Sequence, residues 1–146
     1  MVVLVPVRPN LSWAEEILAW LSICAAADDA AEQADCLRFV ASSFRQAPAP
    51  VRGILGRVHD GERFDFLLGA GALHSAAALL YEEVAFGYMT SCSSSGRVMA
   101  TVVLAASEDE VHFACCAEPL AVVACLAKAL AQVSARQPEA MRRAAH

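Results

Sequence analysis

Charged residues are scarce in this chain of 146 residues. They make up 18% of the sequence against 58% hydrophobic residues, a more apolar balance than that of an average soluble domain. Eleven basic and sixteen acidic residues leave a formal net charge of −5, so a nucleic-acid-binding protein with a broad positive field is not expected. The length predicts a single domain over residues 1–146 with a sizeable core.

The sequence also lacks the short motifs of common catalytic and metal sites. Gly-x-Ser-x-Gly, a phosphate-binding glycine loop and His-Glu-x-x-His are absent, so we expect no enzyme and no cofactor. The six cysteines form no Cys-x-x-Cys pair, which favours reduced thiols packed as small hydrophobic residues. His112, Cys115 and Cys116 could ligate a metal, but no fourth ligand stands at motif spacing, and no metal site is predicted.

Targeting and membrane-spanning segments are missing as well. The first residues lack the basic leader and the apolar core of a signal peptide. No uncharged stretch reaches the roughly 18 apolar residues that cross a bilayer. We therefore expect a cytoplasmic protein that does not itself span a membrane.

Apolar periodicity predicts a mainly helical chain. Ser12 or Asn10 can cap a first helix, in which apolar residues recur at helical spacing from Trp13 to Cys24. Pro48 and Pro50 end the second helix. The other predictions are short helical turns within 51–66 and helices over 30–46, 73–89, 120–133 and 138–143.

Residues 97–116 have two interpretations. Val98–Leu104 and Val111–Cys115 could be two strands joined by Ser107-Glu108-Asp109-Glu110, or the whole segment could be one long helix. Composition and period favour neither structure over the other.

Several segments resemble the Bcl family of apoptosis regulators. The family's first homology motif, with the helix before it, is similar to Tyr81-Glu82-Glu83-Val84 followed, twelve residues on from Val84, by Gly96-Arg97-Val98-Met99-Ala100. The third homology motif is similar to Leu37-Arg38-Phe39-Val40-Ala41-Ser42-Ser43-Phe44. The next core helix of the family would lie, without a gap, at Ala124-Cys125-Leu126-Ala127-Lys128-Ala129-Leu130. The resemblance implies an all-α fold, a Bcl-type bundle whose central hydrophobic helical hairpin is wrapped by amphipathic helices, with residues 95–116 helical.

The sequence departs from this family at several positions. Ser94-Ser95 stand where Asn-Trp usually precedes the Gly-Arg pair, and Ala41-Ser42 stand where the third motif has Gly-Asp. The second motif is not visible around residues 137–143, and the membrane-anchoring tail is absent. A proapoptotic ligand of this family needs the aspartate of the third motif, which Ala41-Ser42 lacks. The resemblance therefore implies a receptor that binds such ligands. A divergent, tailless chain suggests a viral member in the host cytosol, recruited to mitochondria by its partners.

The function implied by the resemblance is that of a prosurvival apoptosis inhibitor. Such a protein sequesters the amphipathic helix of a proapoptotic Bcl-family protein in a hydrophobic surface groove. Arg97 would meet the aspartate of the ligand helix, and Gly96 would let its backbone approach. The pockets would be lined by Phe44, Val84, Tyr88, Met89, Met99 and Ala100. An exposed apolar groove also favours a homodimer.

Each of these residues also has a purely structural interpretation. Arg97 could pair with Glu83 or Glu62 within the fold. The pocket residues that could instead belong to the core are Phe44, Val84, Met99 and Tyr88. A second function therefore stays open beside the first: an α+β chaperone-like or scaffold dimer without an apoptotic role, built on the hairpin interpretation of residues 97–116.

Overall fold

Helices and strands occupy separate parts of the chain. The computed structural model describes residues 12–57, 59–105 and 107–144, and the side chains in these ranges as far as residue 136. The elements in these ranges are α1 (Trp13–Ala26), α2 (Ala30–Arg45), α3 (Ala49–Leu55), α4 (Gly61–Gly69), α5 (Leu73–Tyr81), β1 (Phe86–Cys92), β2 (Val98–Leu104), β3 (Glu110–Cys115) and α6 (Glu118–Ala144). The fold is thus α+β, with the strands inserted between five helices and a last long one.

Side-chain caps set the starts of the first two helices. Ser12 Oγ accepts a hydrogen bond from the backbone N–H of Glu15 at 3.2 Å. Asp29 Oδ1 accepts one from the N–H of Glu32 at 2.8 Å. Each cap satisfies an N–H that has no partner inside the helix and stabilises the helix by about 1 kcal/mol. These local signals explain why α1 and α2 were predictable.

The helix predictions succeed in the first part of the chain and fail in part of the second. α1 and α2 confirm the first two predicted helices, and α3 and α4 confirm the helical turns expected near 51–66. The helix predicted over 73–89 is wrong beyond Tyr81, where the chain turns into β1. α6 joins the helices predicted at 120–133 and 138–143 into one helix of 27 residues.

The three strands form an antiparallel sheet in the order β1-β2-β3. The register pairs Phe86 with Leu104 between β1 and β2, and Val98 with Cys115 between β2 and β3. Gly96 lies in the turn between β1 and β2 with φ of +85°, a left-handed conformation that glycine adopts without strain. Its structural role is therefore to shape a hairpin turn.

This sheet shows that the predicted all-α, Bcl-type bundle is wrong. Residues 95–116 do not form a helical hairpin but contribute β2 and β3, so the alternative hairpin of strands is correct. Along β2 every second side chain is buried, the period of a strand with one covered face. The β-branched residues Thr101, Val102 and Val103 suit such a pleated surface. Local composition could not reveal that α6 would cover only one side of this segment.

α6 runs through the centre of the core. Between Leu120 and Ala131 every side chain except that of Lys128 is buried. A helix that is apolar on all sides needs partners on all sides. α1 packs along it, and the inner face of the sheet covers it from the other side. Burying one such side chain, for example Leu126, contributes roughly 1.5–3 kcal/mol.

The same helix contains a 19-residue segment that could cross a membrane by length and composition alone. This segment, Glu118–Arg136, has a mean hydropathy of 1.3, and 67% of it is buried inside the fold. Its apolar character matches its position in the core. The expectation that the chain does not span a membrane stays a prediction.

Candidate protein-binding surfaces

Arg97 does not stand at the rim of a helical groove. It is an exposed residue at the end of the β1–β2 turn, and its Nη2 donates a hydrogen bond to the carbonyl oxygen of Ala114 at 3.2 Å. Within the described residues no carboxylate forms an ion pair with it. The internal partners considered from the sequence, Glu83 and Glu62, are therefore not its partners, and its role in the fold is a contact to the backbone of β3.

The six residues expected to line pockets beside Arg97 are divided between the core and the two faces of the sheet. The buried ones are Phe44, Val84 and Ala100. The exposed ones are Tyr88, Met89 and Met99. Among these exposed residues, only Met89 and Met99 lie on the same sheet face, the one turned away from α6. No continuous trough connects the six.

The backbone of β1 is unpaired on one side. Ser93 N–H donates to Arg97 O at 2.8 Å, and Ala105 N–H donates to Ala85 O at 3.0 Å. Such pairs recur at every second residue of an antiparallel ladder, so the odd-numbered residues of β1 bond to β2. The N–H and C=O groups that point the other way belong to Phe86, Tyr88, Thr90 and Cys92. Within the described residues these groups form no hydrogen bond. We call this row of unpaired backbone groups the β1 edge.

The opposite edge of the sheet is blocked by side chains. By the same alternation, the backbone groups of Glu110, His112 and Ala114 in β3 point away from β2. Lys128 Nζ donates a hydrogen bond to the carbonyl oxygen of His112 at 2.9 Å, and Arg97 Nη2 donates one to the carbonyl oxygen of Ala114. Charged side chains along an edge prevent pairing with a further strand. β3 is therefore closed to another chain.

β1 has none of the features that usually protect an edge strand. It contains no charged residue and no proline, and its register with β2 is continuous from Phe86 to Cys92. Edge strands in natural proteins are normally kept apart by charges, prolines or bulges. In the described part of the chain, the β1 edge is the place where another strand can add to the sheet.

Exposed apolar side chains flank the β1 edge on both faces. Met89 is 70% exposed and Met99 46% on the outer face, which is turned away from α6. On the other face the rings of Phe86 and Tyr88 stack with their centroids 5.5 Å apart, and Tyr81 packs edge-on against both. Burial, and after it the neighbouring Tyr88 hydroxyl, raises the pKa of Tyr81 to about 12. The surroundings of the edge are mostly apolar, and they include one carboxylate, that of Glu118, whose Oε1 accepts a hydrogen bond from Thr90 Oγ1 at 3.2 Å.

A second apolar surface lies between α1 and α2. This α1–α2 groove has a volume of about 650 Å³. The rings of Trp20 and Phe39 stack at its base with centroids 5.8 Å apart, while Ile23 remains 63% exposed. The apolar lining consists of Trp20, Ile23, Ala26, Ala27, Cys36 and Phe39. Volumes of this size accommodate several side chains of a ligand.

Acidic residues stand at one side of the α1–α2 groove. Glu32 and Asp35 line it directly. Possible ligand oxygens of Asp28, Asp29 and Glu32 lie within 4.8 Å of one another, and all three residues are exposed. The ion pairs formed by the described residues include one cation at this group, Arg38, whose Nη1 lies 2.9 Å from Asp35 Oδ1. This rim carries a net negative charge.

The cysteines expected to be reduced and buried divide into two groups. All six are free in this fold. Cys24, Cys36, Cys115 and Cys125 are buried, and Cys92 and Cys116 are exposed. Burial raises the pKa of Cys24, whereas the neighbouring Cys24 thiol lowers that of Cys36. His112, Cys115 and Cys116 do not form a cluster of possible metal ligands among the described residues.

The sequence interpretation missed both candidate surfaces. The first four residues of β1 were assigned to a predicted helix, although Phe86-Gly87-Tyr88-Met89 has the aromatic residues and the glycine that disfavour one. The α1–α2 groove was missed because no role was assigned to Ile23, and Phe39 was interpreted only as part of the motif-like segment 37–44. Their exposure becomes visible only when the helices are packed.

Comparisons with known proteins add no relative to this picture. No protein-family model matches the chain, and neither the curated proteins nor the solved structures contain a significant match.

Proposed function

We propose that this chain is a non-enzymatic, chaperone-like or scaffold protein that acts as a homodimer joined at the β1 edge. The observation that carries the proposal is the contrast between the two edges of the sheet. β3 is closed by Arg97 and Lys128, whereas β1 contains no charged residue and its outward-pointing backbone groups have no partner among the described residues. An open edge of this kind recruits another strand by backbone hydrogen bonding.

The β1 edge is complementary to itself. If two β1 strands pair antiparallel about a two-fold axis at Met89, Phe86 of one copy faces Cys92 of the second, and Tyr88 faces Thr90. All outward-pointing backbone groups of the β1 edge then find partners. The same patch serves both copies, as a two-fold symmetric interface requires. Two three-stranded sheets become one six-stranded sheet, and the open edges disappear.

Exposed side chains support a second copy at this position. Met89 would lie opposite Met89 of the second copy, with Met99 beside each of them, so that exposed apolar area is removed from water. Methionine packs adaptably at such contacts. The rings of Phe86 and Tyr88 would be shielded on the other face.

The helix-sequestering prosurvival function is not favoured by any of these features. It needs the segment after Arg97 as a helix at the rim of a groove, and this segment is β2. A homodimer that keeps the apolar α1–α2 groove exposed fits the scaffold or chaperone-like alternative better.

The dimer is tested by measuring mass in solution with light scattering at micromolar concentration. The wild-type chain is expected at twice its 15.5 kDa. Thr90→Pro removes an N–H that points out of the sheet and leaves the ladder to β2 intact, so this variant should be a folded monomer. Thr90→Val is the matched control, because it also removes the hydroxyl that bonds Glu118 but keeps the N–H, and it should remain a dimer.

Circular dichroism and thermal unfolding establish that both Thr90 variants keep the native helix and strand content. A wild-type chain that stays monomeric over the concentration range contradicts the proposal. A Thr90→Pro variant that is folded and still dimeric contradicts it as well, because the copies would then meet elsewhere.

A further inference from the structure

We infer that the α1–α2 groove binds an amphipathic helix of another protein, with apolar anchors on one face and basic residues at their flank. This inference names the partner class of the proposed scaffold and rests on that function, but it uses a surface distinct from the β1 edge. Ile23 is 63% exposed and Phe39 41%, and both line the same groove. Two large apolar side chains held open to water in one concave site indicate a binding surface.

The shape of the groove fits a helix. α1 and α2 are joined by three residues, 27–29, and therefore run antiparallel. Trp20 and Ile23 follow one another at helical spacing on α1, with Ala27 just after its end, and Cys36 and Phe39 do so on α2. Small side chains at one end, Ala27 and Cys36, leave room for a larger side chain of the partner. A third helix can place its apolar ridge into such a row.

The charge of the rim selects the partner. Capping of α2 explains the hydrogen bonds of Asp29 and Glu32. Asp35 lies one turn further along beside the exposed apolar side chains, and its carboxylate pairs with Arg38 at 2.9 Å. Because this single cation stands against several carboxylates, the rim stays negative. Together with the net charge of −5, this rim attracts a cationic partner and repels an acidic one. Lysine or arginine beside the apolar anchors of the partner would face Glu32 and Asp35.

Binding is tested with synthetic probes of defined pattern. The probe is a fluorescein-labelled 20-residue peptide with leucine at positions i, i+3 or i+4 and i+7 and with lysine and arginine beside them. One control peptide carries glutamate at the basic positions. Another keeps the composition but places the leucines without helical period. Anisotropy should show binding of the first peptide and at least about tenfold weaker binding of both controls.

Variants of the chain locate the site. Ile23→Glu should weaken binding at least about tenfold, because it places a charge on an apolar anchor surface. Leu18→Glu is its matched control, since Leu18 is 46% exposed on the same helix but does not line the groove, and it should change affinity less than about twofold. Asp35→Lys should weaken binding about three- to fivefold, whereas Glu16→Lys, the same charge change outside the groove, should have a smaller effect.

Several results would overturn the inference. Equal binding of the acidic and the basic peptide would show that the acidic rim does not select the partner. An equal effect of Leu18→Glu and Ile23→Glu would show that the peptide does not bind in the α1–α2 groove. Dissociation of the dimer by Ile23→Glu would make the groove a contact between copies. Failure of the proposed dimer is distinguishable, because light scattering reports the mass of the same samples independently of peptide binding.

Discussion

The guanidinium of Arg97 and the backbone carbonyl of Ala114 form a hydrogen bond of 3.2 Å that covers the outer edge of β3. Lys128 Nζ covers the carbonyl of His112 on the same edge at 2.9 Å. Two cations from different elements thus close one side of the sheet. At β1, on the other side, no described side chain makes an equivalent contact.

Removal of both cations should open a second edge. In the double variant Arg97→Ala and Lys128→Ala the carbonyls of Ala114 and His112 become free, and the chain gains a second strand-pairing surface. We expect species larger than the dimer that grow with concentration, with stability reduced by at most about 1 kcal/mol. Analytical ultracentrifugation measures the species.

Arg52→Ala is a control for this pair, because Arg52 also donates to a backbone carbonyl, that of Arg45, at 3.4 Å. It lies on α3, away from the sheet, and should leave the mass unchanged. Retention of a discrete dimer by the double variant would contradict the protective role of Arg97 and Lys128.

The register of the proposed dimer can be measured by cross-linking. With the two-fold axis at Met89, the Cα atoms of the two residues 89 face each other as a pair without direct backbone hydrogen bonds, about 4.5 Å apart, within disulfide range. In a Cys92→Ser and Cys116→Ser background, Met89→Cys should form a covalent dimer under mild oxidation. Non-reducing electrophoresis and mass spectrometry detect it.

Ser91→Cys in the same background is the comparison for the cross-link. The two residues 91 would stand four positions apart along the paired strands, roughly 13 Å, too far for a disulfide. Efficient cross-linking at Ser91 with none at Met89 would show a different register.

Reactivity towards alkylating reagents should separate the six cysteines. Cys92 and Cys116 are exposed and should react with iodoacetamide within minutes. Burial raises the pKa of Cys24, Cys115 and Cys125, for Cys125 to about 11, so these thiols should react only on unfolding. Peptide mass spectrometry over time gives the individual rates.

Cys36 should be the fastest of the buried thiols. The Cys24 thiol beside it lowers its pKa, which increases the thiolate fraction at neutral pH, and Cys36 lines the open α1–α2 groove. Cys24→Ser tests the cause. If Cys36 reacts no faster than Cys125, the thiol–thiol contact does not activate it.

Mild acid should destabilise the fold through His59. Burial lowers the pKa of His59, and Arg45 lowers it further. The unfolded state therefore binds more protons than the folded state just below the ordinary histidine pKa of about 6.5. The free energy of unfolding should accordingly be greatest above pH 6.5 and decrease as the pH falls towards 5.5, and urea unfolding at several pH values measures it.

His59→Phe keeps a ring beside Phe64, whose centroid lies 5.3 Å from that of His59, and should reduce this pH dependence. His74→Phe, at an exposed position on α5, serves as the comparison and should leave the slope unchanged. An unchanged slope in His59→Phe would assign the pH dependence to other groups.

Local signals made part of the fold predictable. Caps and apolar periodicity placed α1 and α2, and the helix predicted over 120–133 starts within two residues of the start of α6. The sheet was harder to predict from the sequence. A helix and a buried strand have similar composition when all residues are Val, Leu and Ala, and only the packing of α6 against one side of β2 decides between them.

The candidate surfaces depended still more on tertiary structure. Arg97 was expected to meet a carboxylate, of a ligand helix or of Glu83 or Glu62, but its partner in the fold is a backbone carbonyl on β3, 17 residues away. A carbonyl has no signature in a sequence. The unpaired groups of Tyr88 and Thr90 are likewise invisible until the strand order is known, because every strand has such groups and most are paired.

The central position of α6 also affects how the chain folds during synthesis. Roughly 100 residues separate the start of α1 from the start of α6. At translation rates of about 5–20 residues per second, α1 leaves the ribosome about 5–20 s before the helix that completes its packing. In this interval α1 lacks the helix along which it packs, and the nascent polypeptide is exposed to aggregation and to capture by the cell's folding factors.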